Sequence, residues 1–402
     1  MNTVKDDVTE SQEIVEVSKK KKGKHTLGMA KKKAKIPSDI KAVETQVGFE
    51  QIETTVEPRE EVSPIIPDVE DESWKSDVDI SDILYRNNAE DPYLKACKLL
   101  NCIPVSYIIT NLESSQIVMR NRGLGARGAQ AFAQALDNNS TINRLDLSAN
   151  QIEYGGIHLA QVLMTNTVIT YLDLSDNLLG SAGSEIAKMI AANRTLKTII
   201  LKGNIFGDKE ASLISDGFKS NPVLSVLDLS YNRIGDFGAI AMGPNIAFNE
   251  GLSHLNLGNN QITQKGISAI FNGLRENTNI LVLDIQRNGV GENGLAIQAC
   301  IAKNSNIKEL NLSHCRLDDS SMTAITKGLD QNRIICVILG SLQSLDLSGN
   351  EFSSTTLMSL LKSISLSKIS SLGIKQLKLP IEVIKRVGEL CNERPDLKIL
   401  IS

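Results

Sequence analysis

The feature of this sequence that most restricts its fold is a motif that returns every 27 or 28 residues. Four copies read L-D-L-S-x-N, at Leu145–Asn150, Leu172–Asn177, Leu227–Asn232 and Leu345–Asn350. Equivalent apolar residues mark eleven registers, at positions 117, 145, 172, 199, 227, 255, 283, 310, 345, 372 and 400. The spacing departs from this period once, as a gap of 35. A repeat of this length predicts a solenoid in which each unit packs on the next.

Each part of the unit predicts a local structure. The alternating leucines predict a short strand whose apolar side chains point inward. An asparagine then recurs at 150, 177, 204, 232, 260, 288 and 350, with Cys315 in its place once. We expect its amide to turn inward and bond the backbone of the turn. Apolar residues at helical spacing follow. A second asparagine is expected to close each helix in a left-handed conformation, at 139, 166, 193, 221, 249, 277, 304 and 332.

These elements predict an α/β fold: a right-handed αβ solenoid with a parallel β-sheet on its concave face and helices on its convex face. The repeats are expected to span residues 113–379. The end repeats of a solenoid would expose apolar faces, so caps are needed on both sides of them. Residues 76–112 are expected to form a linker and an N-terminal helical cap, and residues 380–402 a C-terminal cap.

Residues 1–75 differ in composition from the rest and hold only two aromatic residues, Phe49 and Trp74. They also hold 16 acidic and 13 basic residues. Such a stretch cannot bury enough apolar surface to offset the entropy of ordering its backbone, which predicts a disordered, charged tail. Within it lies a lysine tract, comprising Lys19, Lys20, Lys21, Lys22, Lys24, Lys31, Lys32, Lys33 and Lys35. The tract fits a nuclear-import signal, a polybasic anchor, or a solvated charge run.

The gap of 35 residues is explained by seven extra residues, 334–340, of sequence Ile-Ile-Cys-Val-Ile-Leu-Gly. Three interpretations stay open for this apolar insertion. It is a partner-binding patch, a bulge that folds back on the core, or a product of a misassigned gene structure.

Composition excludes several classes of protein. The chain has 43 Lys+Arg and 47 Asp+Glu, and only 4% of its residues are aromatic, which argues against nucleic-acid binding by the repeats. No apolar run is long enough to span a membrane. Six scattered cysteines and the absence of a secretory signal predict a cytoplasmic protein, or a nuclear one if the lysine tract directs import. No nucleotide-binding, zinc-protease or hydrolase motif is present, so we expect no catalytic site, metal or cofactor.

The repeat resembles that of leucine-rich-repeat proteins of the ribonuclease-inhibitor-like class. The first segment, Tyr93–Leu100 followed by Pro104–Tyr107 and Asn111–Glu113, is similar to that of the leucine-rich repeat-containing protein 74 family. The resemblance covers about residues 90–402 and excludes the lysine tract. It implies the solenoid fold and supplies no catalytic residues.

The non-leucine positions of each strand are predicted to face the concave side. One row of these positions holds five aspartates, Asp146, Asp173, Asp228, Asp284 and Asp346. They predict either a docking surface for a basic protein or a solvated part of the consensus. Other partner-binding candidates differ from repeat to repeat, namely Arg144, Tyr171, Tyr231, His254, Arg287, Glu309 and His314. Tyrosine and arginine often dominate binding interfaces, so Tyr171 and Tyr231 are the first choices.

The sequence therefore favours a non-enzymatic, monomeric scaffold that binds a protein partner, of unknown identity, on its concave face. It predicts no small-molecule substrate. Two alternatives are a GTPase-activating protein of the Ran-activator type and a structural subunit of a cytoskeletal or ciliary assembly. A further possibility is that the lysine tract covers the row of aspartates.

Overall fold

The computed structural model describes residues 91–335 and 341–401. The expected tail at 1–75, with its lysine tract, lies outside the described residues, as do the first part of the linker and residues 336–340 of the insertion.

Strands and helices alternate along the described chain. The strands are β1 Gln116–Val118, β2 Arg144–Asp146, β3 Tyr171–Asp173, β4 Thr198–Ile200, β5 Val226–Asp228, β6 His254–Asn256, β7 Val282–Asp284, β8 Glu309–Asn311, β9 Ser344–Asp346, β10 Ser371–Gly373 and β11 Lys398–Leu400. The helices are α1 Pro92–Leu100, α2 Ser106–Asn111, α3 Gly125–Leu136, α4 Gly155–Leu163, α5 Gly183–Ala192, α6 Asp208–Lys219, α7 Asp236–Phe248, α8 Gln264–Glu276, α9 Gly294–Lys303, α10 Asp319–Ile335, α11 Ser354–Ser365 and α12 Ile381–Glu393. A short 3₁₀ helix at Leu179–Ala182 precedes α5.

The eleven strands form one parallel sheet in sequence order, open at both ends. Its register pairs equivalent positions, so that Leu145 lies beside Leu172 and Asp146 beside Asp173. The last pairing sets Leu372 against Ile399, which corrects the final marker from Leu400 to Ile399. Strands lie about 4.8 Å apart but packed helices about 8–10 Å apart, so the stack curves with the sheet inside. The predicted αβ solenoid is confirmed.

The inward-turning asparagines are also confirmed. Asn177 is fully buried, and its Nδ2 donates to the carbonyl oxygens of Leu147 and Ser175, each at 2.9 Å. Its Oδ1 accepts the amides of Asn150, at 2.8 Å, and Ile152, at 3.4 Å. Each asparagine thus joins its own turn to the turn before it, which satisfies backbone groups that burial would otherwise orphan.

The prediction that the second set of asparagines closes each helix in a left-handed conformation is wrong. Asn193 follows α5 in extended conformation, with φ −67° and ψ 140°, rather than in the left-handed region. Its Nδ2 donates to the carbonyl oxygens of Leu163, the last residue of α4, and of Asn166 just beyond that helix, and its Oδ1 accepts the amide of Leu196. The chain must extend here to reach the next strand, so the side chain caps the neighbouring helix instead of its own.

Helix α10 is a second departure from the expectation. Asn332 does not close it, since the helix continues to Ile335 and takes in the first two residues of the insertion. Asn332 keeps the contacts of its position nevertheless, because its Nδ2 donates to the carbonyl oxygens of Ile301 and Asn304.

The first repeat is covered by α1, where a capping helix is expected. The Asp91 side chain accepts the amide of Tyr93 at the start of this helix. Tyr93 is buried with its ring edge-on to Phe132 at 6.5 Å, and its hydroxyl accepts the amide of Val105. These contacts close the apolar end of the stack.

Candidate functional site

Three rows of side chains run along the inner face of the sheet. The first strand residue of each repeat forms one row, and the third strand residue forms the second. The residue immediately before the buried asparagine forms the third row. The predicted site residues divide among these rows and come from elements that pair directly, so their spacing is fixed by the sheet.

The aspartates of the second row are held by their own turns. Asp173 Oδ1 accepts the amide of Ser175 at 2.9 Å and its hydroxyl at 2.6 Å, and the same pattern recurs at Asp146. Asp228, Asp284 and Asp346 likewise accept the amide two residues later. Asp146 is fully buried, and the other four are largely buried. These carboxylates shape the turns that follow the strands and do not form a freely solvated acidic row.

Burial disfavours the charged form of these carboxylates. The pKa of Asp284 is raised to about 6, mainly by burial and in part by the like charges of Asp228 and Asp346, while hydrogen bonds from Gln286 and Asn311 oppose the rise. Burial also raises the pKa of Asp173 and that of Asp228.

The most specific local feature of the inner face is a stacked pair on β2 and β3. The guanidinium of Arg144 lies 3.7 Å from the centre of the Tyr171 ring, an attractive cation–π contact. Burial raises the pKa of Tyr171 to about 12, so its hydroxyl keeps its proton. Within the described residues, neither Arg144 Nε nor the Tyr171 hydroxyl has a hydrogen-bond partner, although both atoms are buried.

A second pair lies two strands further along. Lys202 Nζ is 4.7 Å from the centre of the Tyr231 ring, and Tyr231 is 51% exposed. Tyr231 belongs to the third row, in which Arg287 and His314 also stand, and all three have φ between 53° and 55°. A left-handed backbone costs a non-glycine residue about 1 kcal/mol. The repeat imposes this conformation whatever side chain the position carries.

The remaining predicted residues lie apart from these pairs. His254 on β6 shares a 2.8 Å hydrogen bond between its Nδ1 and the Ser253 hydroxyl, and burial lowers its pKa. Glu309 on β8 and Arg287 are exposed, and β7 separates β6 from β8. The structure therefore stacks Arg144 on Tyr171, places Arg287 and His314 at equivalent positions of adjacent repeats, and separates His254 from Glu309 by one strand.

Two cations that sequence reasoning missed complete the N-terminal half of this face. Arg120 Nε donates to Asp146 Oδ2 at 2.7 Å, with 53% of the arginine side chain exposed. Lys202 is the second. Arg120 and Lys202 occupy the motif position at which five repeats have serine, so that departure from the consensus was the available signal.

The described residues include no cluster of three or more side chains suited to a metal ion. Likewise, no helix between residues 91 and 401 that the structure describes has the length and apolar character to cross a membrane.

Comparison with protein-family models matched a leucine-rich-repeat model to five segments, residues 138–157, 165–185, 220–243, 249–271 and 303–325. A second leucine-rich-repeat model matched residues 341–367. Among curated proteins, leucine-rich repeat-containing protein 74B of Mus musculus is 38% identical over 52 residues. That segment is 13% of this chain and 13% of the mouse protein.

Two solved structures are similar to the chain at low sequence identity. The actin-binding site 2 of leiomodin-1 aligns with a TM-score of 0.31 and 20% identity, over 40% of this chain and 94% of that one. An internalin from Listeria monocytogenes aligns with a TM-score of 0.40 and 16% identity, over 78% of this chain and 90% of that one.

Proposed function

We propose that this leucine-rich-repeat protein is a non-enzymatic scaffold that binds a protein partner on its concave face. The contacts are centred on Arg144 and Tyr171, with Arg120, Lys202 and Tyr231 around them. The partner is bound as a folded surface or an extended segment lying across β2 to β5.

The stack of Arg144 on Tyr171 carries this proposal. Arginine and tyrosine are the residue types that most often dominate binding energy, and here the contact already holds them in place. Side chains ordered before binding lose less entropy when the complex forms. The parallel sheet beneath adds to this rigidity, because its backbone groups are bonded from repeat to repeat.

The charges of the site favour an acidic partner. Arg144 Nε and the Tyr171 hydroxyl are buried within the stack, so they are not the atoms that a partner reaches. Arg120, half exposed, and Lys202, exposed, are the accessible cations at this site. Carboxylate oxygens of a partner would pair with these two cations.

A comparison of wild type with the variants Y171A/Y231A and Y154A tests the proposal. Proximity labelling in cells with the full chain should identify partners that Y171A/Y231A labels at least fivefold less than wild type. Tyr154 lies before α4, outside the strands, and is 45% exposed, so Y154A is the matched control. The partner found is then titrated against the purified chains.

We expect Y154A to bind that partner like wild type and Y171A/Y231A to bind at least tenfold more weakly. Y231A alone removes an exposed ring and guards against a folding defect at Tyr171. Equal labelling by all three proteins would refute a concave-face site, and turnover of a small molecule by the purified chain would refute the scaffold.

A further inference from the structure

Helix α7, Asp236–Phe248, is apolar on the side that faces solvent. Phe237 is 80% exposed, Phe248 69% and Ile240 44%, and Pro244 between them is also exposed. These four residues follow the i, i+3, i+7, i+11 spacing of a single helix face. We call them the α7 stripe. A helix that is apolar all round is normally buried, so an exposed one calls for a covering partner.

The flanking helices show that the stripe is a departure from the repeat. The positions 28 residues before the stripe are Lys209, Ser212, Asp216 and Ser220, and those 28 residues after it are Lys265, Ser268, Asn272 and Glu276. All eight are polar, as a solvent-facing helix position requires. Of these three neighbouring helices, α7 alone replaces the whole set with apolar side chains.

The core does not explain this composition, because the inner side of α7 is already filled. Gly243 meets Gly273 of α8 backbone to backbone, since a Cβ at either glycine would overlap the facing chain. Asn245, one of two polar residues in α7, turns inward and donates to Ser215 Oγ and Asp216 Oδ1. The apolar residues on the outer side are therefore surplus to folding.

Positive charge projects around the stripe. Lys209 and Lys265 occupy the positions equivalent to Phe237 on either side, and Lys219 Nζ lies 5.5 Å from the centre of the Phe248 ring. The carboxylates nearby keep their charge but are engaged in hydrogen bonds or ion pairs, and exposed Asp216 accepts from Asn245. Asp208 accepts the amides of Gly235 and Gly238, and Asp236 those of Thr263 and Gly266. Glu276 pairs with Arg275 and Lys303.

The size of the stripe limits what can cover it. With about 200 Å² for a phenylalanine side chain, the two rings expose about 300 Å². That area lies at the lower end of the range for the largest exposed apolar patch on a typical monomer, about 300–600 Å². A stable dimer buries about 800 Å² on each partner, so a second copy of this chain would be held too weakly.

We propose that the α7 stripe binds an amphipathic helix of another protein, one whose apolar face is flanked by acidic residues. The apolar face packs on Phe237, Ile240, Pro244 and Phe248. The acidic residues meet Lys209 and Lys265 at one end and Lys219 at the other. This convex site is separate from the concave face and does not rest on the function proposed for that face.

A display library tests this directly. Helices of about 18 residues carry a fixed apolar face, and their flanking positions are randomised between Glu, Lys and Ser. The purified full chain should enrich Glu-bearing helices. A synthetic peptide of the best clone, followed by fluorescence polarisation, should bind F237S/F248S at least tenfold more weakly than wild type. K209E/K265E should reverse the preference toward Lys-bearing helices.

Two control variants establish whether binding depends on the stripe itself. Leu295 on α9 is 74% exposed, so L295S removes an apolar side chain outside the stripe and should leave binding unchanged. Y171A/Y231A should also leave it unchanged. Failure to enrich helices over F237S/F248S, enrichment of Lys-bearing helices, or a dimer in sedimentation that F237S/F248S abolishes would each overturn the proposal.

Discussion

Replacing Asn177 by alanine removes four hydrogen bonds, three to the preceding turn and one within its own turn. The amides of Asn150 and Ile152 lose their acceptor, and the carbonyl oxygens of Leu147 and Ser175 lose a donor. At about 1 kcal/mol each, with less for the longer bond to Ile152, the free energy of unfolding should fall by about 3–4 kcal/mol. That is a large share of the roughly 5–15 kcal/mol that typically stabilises a domain.

Urea unfolding followed by circular dichroism measures this loss, and hydrogen exchange at the amides of residues 150 and 152 locates it. Repeats contact only their neighbours, so faster exchange should begin in those two turns. A loss below about 1 kcal/mol with unchanged exchange at both amides would refute the role assigned to the side chain.

The chain offers a matched reverse substitution at Cys315. Its Sγ donates weakly to the carbonyl oxygens of Ile285, at 3.3 Å, and Ser313, at 3.4 Å. Asparagine in this position would also accept the amides of residues 288 and 290, as Asn177 does in its own repeat. C315N should therefore raise the free energy of unfolding by about 1–2 kcal/mol, and a decrease would contradict the same reasoning.

Further predictions concern charge and packing. The pKa of Asp284 is about 6 when folded against an ordinary value of 3.8, so the folded state binds more protons between these values. Stability should then fall as pH rises from 4 to 6, and D284N should flatten that dependence of the urea midpoint. G273A should destabilise the fold by about 2 kcal/mol or more in the same assay, because a Cβ there overlaps the facing helix backbone. G388A lies inside α12 in open space, so it should stabilise by up to about 1 kcal/mol. R120A strips the ion pair from buried Asp146 and should lower the free energy of unfolding by about 1–2 kcal/mol, less than for a fully buried pair because the arginine is half exposed.

Each of these has an outcome that contradicts it. A steeper pH dependence in D284N would place the titration elsewhere. Equal urea midpoints for G273A and G388A would mean that the close approach of α7 and α8 relaxes freely. An R120A variant with wild-type stability would show that the serine hydroxyl and amide alone satisfy Asp146.

The sequence predicts the fold because its periodic positions report packing. The leucines and the first set of asparagines recur in nearly every unit, and each has the same structural role in every repeat. A correct structure for one unit therefore predicts the structure of the others. The left-handed cap at Asn193 was wrong because its partners, Leu163 and Asn166, belong to the preceding repeat. A motif within one unit does not reveal contacts made across two.

The candidate site is less accessible to such reasoning. That Arg144 stacks on Tyr171 follows from the register of β2 and β3 and from side-chain conformation, which spacing alone does not define. The aspartates looked like open charges because the sequence does not show their bonds to the turn. The α7 stripe, by contrast, is visible in the sequence from Phe237 to Phe248. It was missed because the sequence analysis followed the positions that recur and did not compare the helices position by position.

The left-handed position before each inward-turning asparagine, or before Cys315 in its place, has an evolutionary consequence. Alanine, aspartate, glycine, tyrosine, asparagine, arginine and histidine all occupy it here with nearly the same backbone torsion. Mutation can therefore exchange these side chains one at a time without disturbing the leucines below them. Descendants of such a gene can acquire new recognition properties while inheriting an unaltered framework, at a small energetic penalty for each side chain other than glycine.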